Sequence, residues 1–300
     1  MAKGNMLLGY SRGSVGDVVM SRVKGQQVAK ARNRKPANPK SNKQMKQRSS
    51  FISPVKFFTH GVQAFFNFAF SDKKVTESDF NAFMRHNSKL AFPVTKDEHD
   101  SVGFPALGNY MMTKGKLPEL PVVNVTPGSN SVGLLLGEEG DITSIAQLSA
   151  RFVQLGYADE GDIITIVSIH EHVAFMSNNE LIVGYGNSPF WSIDQFVVDS
   201  SNPALIADEL PDVLIANVSA SSWLFTAGYN GNESTDLHSL AIVRSKETAR
   251  GLEVSTAYLQ NGGYIDDYIT YRNQKAQVDK VLADWGATGD AILQGSIAKK

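Results

Sequence analysis

Cysteine is absent from the 300-residue sequence. That absence excludes disulfide bonds, thiolate metal sites and a cysteine nucleophile. Long apolar runs are also missing, since none approaches the roughly 20 residues that a helix needs to cross a bilayer. The apolar cluster at 6–8 is far too short for the core of a signal peptide. We therefore expect a soluble protein with no membrane partner and no recognisable export signal.

Acidic residues are nearly missing from the first fifty positions, where Asp17 is the one acid beside twelve lysines and arginines. The chain has 29 basic and 30 acidic side chains in total, so the remainder holds 17 basic and 29 acidic ones. A near-neutral sum therefore conceals a net charge of +11 beside −12. Such a split predicts a basic arm that neutralises a polyanion and an acidic body that repels it. The polyanion is either nucleic acid or the acidic body of a neighbouring copy.

The basic arm supplies the candidate binding residues. Each phosphate that a lysine or arginine neutralises releases counterions, so the arm predicts salt-sensitive and sequence-tolerant binding without a shaped pocket. Arginines can also grip a phosphate through two donors. The alternative is docking of the arm on acidic protein. The predicted nucleic-acid-binding residues are Arg12, Arg22, Lys24, Lys30, Arg32, Arg34, Lys35, Lys40, Lys43, Lys46 and Arg48.

The sequence predicts an extended structure for most of the arm. Residues 15–32 read as two short strands around Lys24 and Gly25, and the glycine suits the tight turn of a hairpin. Side chains alternate along a strand, so Arg22 and Lys30 are expected to share a polar face. Two prolines in the segment that follows predict an extended linker.

Two helices are predicted after the linker. Residues 41–44 match a capping box, which places a helix start there. The helix becomes strongly apolar over 51–70, with Pro54 expected to kink or divide it. A second helix fits 77–87, with Thr76 as its cap. The phenylalanines of both segments predict a helical hairpin with an aromatic seam that forms core or a subunit interface.

From about residue 92 the composition shifts to proline, glycine and β-branched residues, which favours strands. A helix is predicted over 144–155, and the apolar run 162–169 predicts a strand buried on both faces. Further strands are predicted at 180–185, 212–219, 239–244 and 252–259, followed by a helix over 264–285. The predicted fold class is α+β, with a basic β-hairpin and a helical hairpin before a β-rich, sandwich-like body and a C-terminal helix.

The same pattern suggests three segments: a basic arm over 1–50, an aromatic-rich helical segment over 51–91 and a β-rich body over 92–300. A division of the body into two subdomains near 140–160 is left open.

Candidate catalytic chemistry is weak. His170 and His172 would share a face of one strand and suit a metal if a third ligand converged, but His238 and the other histidines occupy unrelated sequence contexts. The acids at 159–162 read as solvated loop carboxylates. No serine lies in a nucleophile-elbow sequence, and the glycines at the N-terminus lack the Gly-Lys-Ser/Thr of a phosphate-binding loop. We predict no metal, no cofactor, no small-molecule substrate and no enzymatic activity.

Several short stretches carry a resemblance to a known family. They are Gly13-Ser14-Val15-Gly16-Asp17-Val18-Val19, the Lys24-Gly25 turn, Arg32-Asn33-Arg34-Lys35-Pro36 and Gln44-Met45-Lys46-Gln47-Arg48, with a looser match in Ala241–Ser245 and Leu252–Thr256. In these the chain resembles an uncharacterised family from gut Bacteroidetes genomes and their phages. The resemblance implies a phage or bacterial setting and transfers no catalytic residue.

Together these features favour a non-enzymatic structural protein, a phage virion or nucleoprotein component located in a virion or in the cytoplasm. Its arm would bind nucleic acid or neighbouring subunits, and the chain would form homo-oligomers. A cellular β-sandwich binding or adhesion module, with the arm docked on acidic protein, is the alternative. A metal-assisted hydrolase using His170 and His172 is a third class.

Overall fold

The structure, a computed structural model, describes residues 3–5, 10–23, 26–32, 40–59, 69–100, 108–124, 132–137, 142–172, 174–175, 181–182, 190–219, 222–227, 236–249, 251–262 and 265–288. These residues form two compact units. One unit contains the described residues up to Ser41 together with Thr288, and the other spans Asn42–Ala287.

The first unit is a four-stranded antiparallel sheet in the order β1-β2-β3-β4. Its strands are β1 (Lys3–Asn5), β2 (Tyr10–Val15), β3 (Val18–Val23) and β4 (Gln26–Ala31). The predicted hairpin around 24–25 is the β3–β4 pair, although those two residues themselves lie outside the described residues. Strands β1 and β2 were not predicted. Gly16, at φ +57°, starts the two-residue turn between β2 and β3, which is the glycine position of a type II′ hairpin.

The register corrects the predicted face of the β3–β4 hairpin. Arg22 pairs with Gln27, and Lys30 pairs with Val19. Residues directly opposite each other share a face, and a two-residue connection pairs even positions of one strand with odd positions of the other. Positions 22 and 30 are both even, so they occupy opposite faces of the sheet and the prediction of a shared face is wrong.

The second unit contains the helices of the described chain. They are α1 (Asn42–Thr59), α2 (Asp79–Asn87), α3 (Lys96–Asp100), α4 (Ile145–Gln154), α5 (Ile206–Glu209), α6 (Ile265–Asn273) and α7 (Lys275–Asp284), with a 3₁₀ turn at Ser88–Leu90 after α2. Helix α1 begins where the sequence predicts and is not divided at Pro54. Proline removes the amide that would bond to the Ser50 carbonyl, and the Ser53 hydroxyl donates to that carbonyl instead, at 3.1 Å.

Two helix boundaries differ from the prediction. Helix α2 starts at Asp79, because the amide of Asn81 donates to the hydroxyl of Ser78 at 3.2 Å, so that Ser78 and not Thr76 is the cap. The C-terminal helix is two helices, since Gln274 has an extended backbone with ψ 145° between α6 and α7. Residues 60–68, the middle of the predicted aromatic helix, lie outside the described residues.

Two larger sheets build the body. The strands are β5 (Met111–Thr113), β6 (Val122–Asn124), β7 (Val132–Gly137), β8 (Ile163–His172), β9 (Ala174–Phe175), β10 (Leu181–Ile182), β11 (Phe190–Val197), β12 (Val213–Ser219), β13 (Ser222–Ala227), β14 (Asp236–Thr248), β15 (Gly251–Val254), β16 (Ala257–Tyr258) and β17 (Gln260–Gly262). One sheet has the order β11-β8-β14-β15, with β17 also paired to β14. The other has the order β12-β13-β7-β6, and two-stranded pairs join β5 to β16 and β9 to β10.

The central strand β8 is buried on both faces, as predicted. Val167 and Ile169 pack into a core cluster with the aromatic residues of α1 and α2, where the rings of Phe57 and Phe83 stack with centroids 5.9 Å apart. The alternate residues of β8 pack into a second cluster, which includes side chains of α4 and of the β12-β13-β7-β6 sheet. The mixed α+β class with a sandwich-like body is therefore confirmed. Among the described helices, none combines the length and the apolar character needed to span a membrane.

Candidate functional site

The first unit carries exposed cations that have no carboxylate partner among the described residues. Strand β4 is exposed along all of its residues. Arg12 on β2, Lys30 on β4 and Arg32 just beyond β4 are exposed, as is Lys40. Within the described part of the chain, no carboxylate lies within the 4.0 Å ion-pair distance of these four side chains. Their charges are therefore available to a partner.

Strand register defines the face on which Lys30 lies. Ser14 of β2 and Lys30 of β4 both pair with Val19 of β3, so they share its face. Gly13, at φ +114°, interrupts the alternation of side chains between Ser14 and Arg12. Neighbouring strands are about 4.8 Å apart, which separates the β2 and β4 backbones by about 10 Å. The sheet therefore presents Arg12 and Lys30 as separate charges on different strands.

The remaining predicted site residues are distributed differently. Lys24, Arg34 and Lys35 lie outside the described residues, and Arg22 is described only by its backbone position on β3. The other three, Lys43, Lys46 and Arg48, belong to the second unit, where they are exposed on the first turns of α1. The structure thus divides the predicted arm between two units at Ser41.

Helix α1 lines a surface groove of about 420 Å³. The groove is formed by Lys43, Lys46, Gln47, Ser50 and Phe51 of α1, together with Ser88 and Ala91. The five α1 residues follow the i, i+3, i+4, i+7, i+8 spacing of one helix face. The sequence predicts that Phe51 belongs to the core or to a subunit interface, and in this chain 47% of the residue is exposed. Its exposure could have been inferred from the sequence, because this spacing places Phe51 on the same helix face as Lys43 and Lys46.

Two arginines of the second unit, Arg244 and Arg272, are paired with acids. Arg244 donates from Nε to Asp162 and from Nη2 to Asp159, each at 2.6 Å. A hydrogen bond from Lys246, followed by the charge of Arg244, lowers the pKa of the Asp159 carboxyl. Arg272 makes a two-pronged ion pair with Glu98, one arm of which is 2.6 Å long. The charges of these arginines are therefore neutralised by acids of the same unit.

The same ion pairs correct one prediction. Asp162 was expected to be a solvated loop carboxylate, yet it is 1% exposed and also accepts a hydrogen bond from the Asp159 amide at 2.8 Å. Glu160 accepts from the amide of Ser200 at 3.2 Å. A loop carboxylate ahead of a strand is indistinguishable in sequence from one that bonds a distant arginine. These acids fix the loop before β8.

The His170–His172 pair has neighbours that the sequence did not reveal. His170 pairs with His238 across β8 and β14, and His172 pairs with Asp236. All four positions therefore lie on one face of the sheet, so the expectation that His238 belongs to an unrelated context is wrong. Among the residues whose side chains the structure describes, no group of three or more histidines and acids is arranged to hold a metal.

Comparisons with known proteins find one similarity. Residues 10–99 match the model of DUF6266, a family of unknown function. The matched segment contains strands β2 to β4 and helices α1 and α2. It therefore includes three strands of the exposed basic sheet and the residues that line the groove. No curated protein and no solved structure matches the chain.

Proposed function

We propose that this chain is a non-enzymatic structural protein, a virion or nucleoprotein component of a phage or bacterial setting, whose basic N-terminal unit binds nucleic acid. Its partners are nucleic acid and other copies of the same chain, and it acts in a virion or in the cytoplasm.

One contrast supports this proposal most strongly. Arg12, Lys30 and Arg32 are exposed and lack a carboxylate partner in the described residues, whereas Arg244 and Arg272 are held in short ion pairs. Exposed cations that no internal acid neutralises keep their full attraction for phosphates. Because they lie on or beside an exposed sheet, they suit sequence-tolerant binding along a backbone.

The test is a triple variant, Arg12→Gln, Lys30→Gln and Arg32→Gln. We expect weaker binding to duplex DNA and RNA, and a plot of log Kobs against log salt that is shallower by about 2 to 3 units. The measurement is fluorescence anisotropy over a series of salt concentrations. The matched control replaces three exposed lysines of the second unit, Lys74→Gln, Lys275→Gln and Lys280→Gln, with the same loss of charge.

Equal salt slopes in the triple variant and its control would show that net charge alone, and no particular surface, sets the binding. Retention of the triple variant on nucleic acid, with loss of self-association, would instead favour the alternative of an arm that docks on acidic protein. Sedimentation velocity with and without nucleic acid separates these two results.

A metal-binding role is a second candidate, favoured by strand register alone. Histidine is a common ligand of zinc and of other transition metals, and three histidines with one acid form a complete donor set. His170, His172, Asp236 and His238 occupy neighbouring positions on one face of β8 and β14. Stoichiometric metal in the purified protein tests this role.

A further inference from the structure

We propose that the groove along α1 binds single-stranded nucleic acid, with Phe51 as a stacking surface for a base and Lys43 and Lys46 as phosphate contacts. This inference rests on the proposed function, since it assigns a strand type and a second contact surface to the same binding activity.

The charge of the groove suits a polyanion. Lys43 and Lys46 are exposed, and the residues that line the groove include no acid. Neither lysine has a carboxylate within ion-pair distance in the described part of the chain. Gln47, Ser50 and Ser88 add hydrogen-bonding groups beside them. The groove therefore combines unneutralised positive charge with donors and acceptors that a sugar-phosphate backbone can use.

Phe51 is what separates this groove from a simple basic patch. It is 47% exposed, while Phe57 and Phe58 on the same helix are 0% and 4% exposed. Within the core Phe57 stacks on Phe83 and Phe58 packs edge-on against Phe80, whereas Phe51 makes no ring contact with any described residue. An exposed ring beside lysines is the arrangement in which bases stack while the backbone is neutralised.

The dimensions favour a single strand. Along the helix axis, Lys43 and Phe51 are about 12 Å apart, at 1.5 Å per residue over eight residues. The volume of about 420 Å³ lies in the range of roughly 300–1,000 Å³ that small-molecule sites occupy. A duplex keeps its bases stacked inside, so it can offer phosphates to the lysines but no free base face to Phe51. An acidic peptide would likewise use the lysines and leave the ring unused.

The experiment compares Phe51→Ala and Phe51→Tyr in the full chain. We expect Phe51→Ala to lower the affinity for oligothymidylate of about 12 nucleotides, and for oligouridylate of the same length, by about 5- to 150-fold. Phe51→Tyr, which keeps an aromatic face, should bind as the unchanged protein does. Affinity for duplex DNA should stay the same in both variants. Circular dichroism and melting temperature verify that the exposed substitution leaves the fold intact.

A second comparison isolates the groove charges. Lys46→Gln and Arg48→Gln remove one charge each from positions two residues apart on α1, but only Lys46 lines the groove. Single-strand binding should fall further in Lys46→Gln. Equal effects of the two, or unchanged single-strand binding in Phe51→Ala, would overturn the groove proposal. Polyglutamate that competes equally with the oligonucleotides, with no effect of Phe51→Ala, would assign the groove to acidic protein and would also overturn it.

The two proposals fail in different ways. Loss of single-strand binding in Phe51→Ala, with full binding by the Arg12/Lys30/Arg32 variant, leaves the groove standing and removes the sheet from the interface. Salt-dependent duplex binding that needs the sheet cations, with no effect at Phe51, leaves the proposed function standing and removes the groove.

Discussion

At the scale of single residues, the fold depends on charges that are buried in pairs. Glu98 and Arg272 are 3% and 7% exposed and bond to each other through both arms of the guanidinium. Arg272 also donates to the Pro93 carbonyl at 2.8 Å. A buried charge is costly when it lacks a partner, and the Glu98–Arg272 pair joins α3 to α6.

Glu98→Gln is expected to lower the free energy of unfolding by about 3 to 5 kcal/mol, because it leaves the buried Arg272 charge without its counter-ion. Urea denaturation followed by circular dichroism measures this. The control is Glu253→Gln, which breaks the Lys116–Glu253 pair of 3.3 Å, where the lysine side chain is 64% exposed. That change should cost about 0 to 1 kcal/mol. A similar cost in both variants would contradict the view that burial makes the Glu98 pair important.

At the scale of secondary-structure elements, the pairing of strands decides which residues meet. The long strand β14 pairs with β8 over ten positions, and this register brings His238 opposite His170 and Asp236 opposite His172. Directly opposite residues in an antiparallel pair have Cβ atoms about 4.5–5.5 Å apart, a spacing within reach of a shared ligand. Spacing along the chain gives no hint of this, since more than sixty positions separate the two strands.

If these four residues bind a metal, protein purified without chelator should contain about one transition-metal ion per chain by mass spectrometry. Replacing His170 and His238 with Asn should abolish the metal and lower the melting temperature of the metal-loaded protein to that of the chelator-treated protein. The control is His99→Asn, because His99 pairs with Asp100 at 2.7 Å on α3 and is outside the β8–β14 face. Metal retained in the double variant would contradict this assignment.

At the scale of the whole molecule, the exposed cations Arg12, Lys30 and Arg32 and the hydrophobic clusters lie in different units. All four hydrophobic clusters found among the described residues lie within Asn42–Ala287. The sheet of the first unit has an exposed outer strand and exposed valines at 15, 18 and 28. The hydrophobic clusters therefore lie in the second unit, whereas the exposed cations Arg12, Lys30 and Arg32 lie in the first.

A truncated chain spanning 42–287 is expected to fold cooperatively, with a melting temperature close to that of the full chain, because it keeps every member of the four clusters found among the described residues. It should lose most of its affinity for duplex nucleic acid, since Arg12, Lys30 and Arg32 are gone. Calorimetry measures the first quantity and anisotropy the second. An unfolded truncated chain would show that the first unit contributes to the core, and full duplex affinity would show that the binding surface lies in the second unit.

The sequence by itself determined the charge asymmetry and the elements with strong local signals. The Lys24-Gly25 dipeptide in the sequence predicts the β3–β4 hairpin, the pattern over 144–155 predicts α4, and the apolar run of β8 is buried on both faces as predicted. These features depend on neighbours a few residues away, so they can be read from the chain. Helix α2 begins two residues later than predicted, and two helices replace the single predicted C-terminal helix. Both differences arise because adjacent residues compete to cap or end a helix.

Only the tertiary structure decided which charged side chains form ion pairs within the fold and which stay exposed without a partner among the described residues. Arg32 and Arg244 look alike in sequence, yet Arg244 reaches acids more than eighty positions away and Arg32 reaches none among the described residues. Likewise, Phe51 belongs to the same apolar run as Phe57, but only packing shows that one ring faces solvent beside lysines and the other faces the core. The physical reason is that desolvation and ion pairing are set by contacts between distant segments, and local sequence does not encode their geometry.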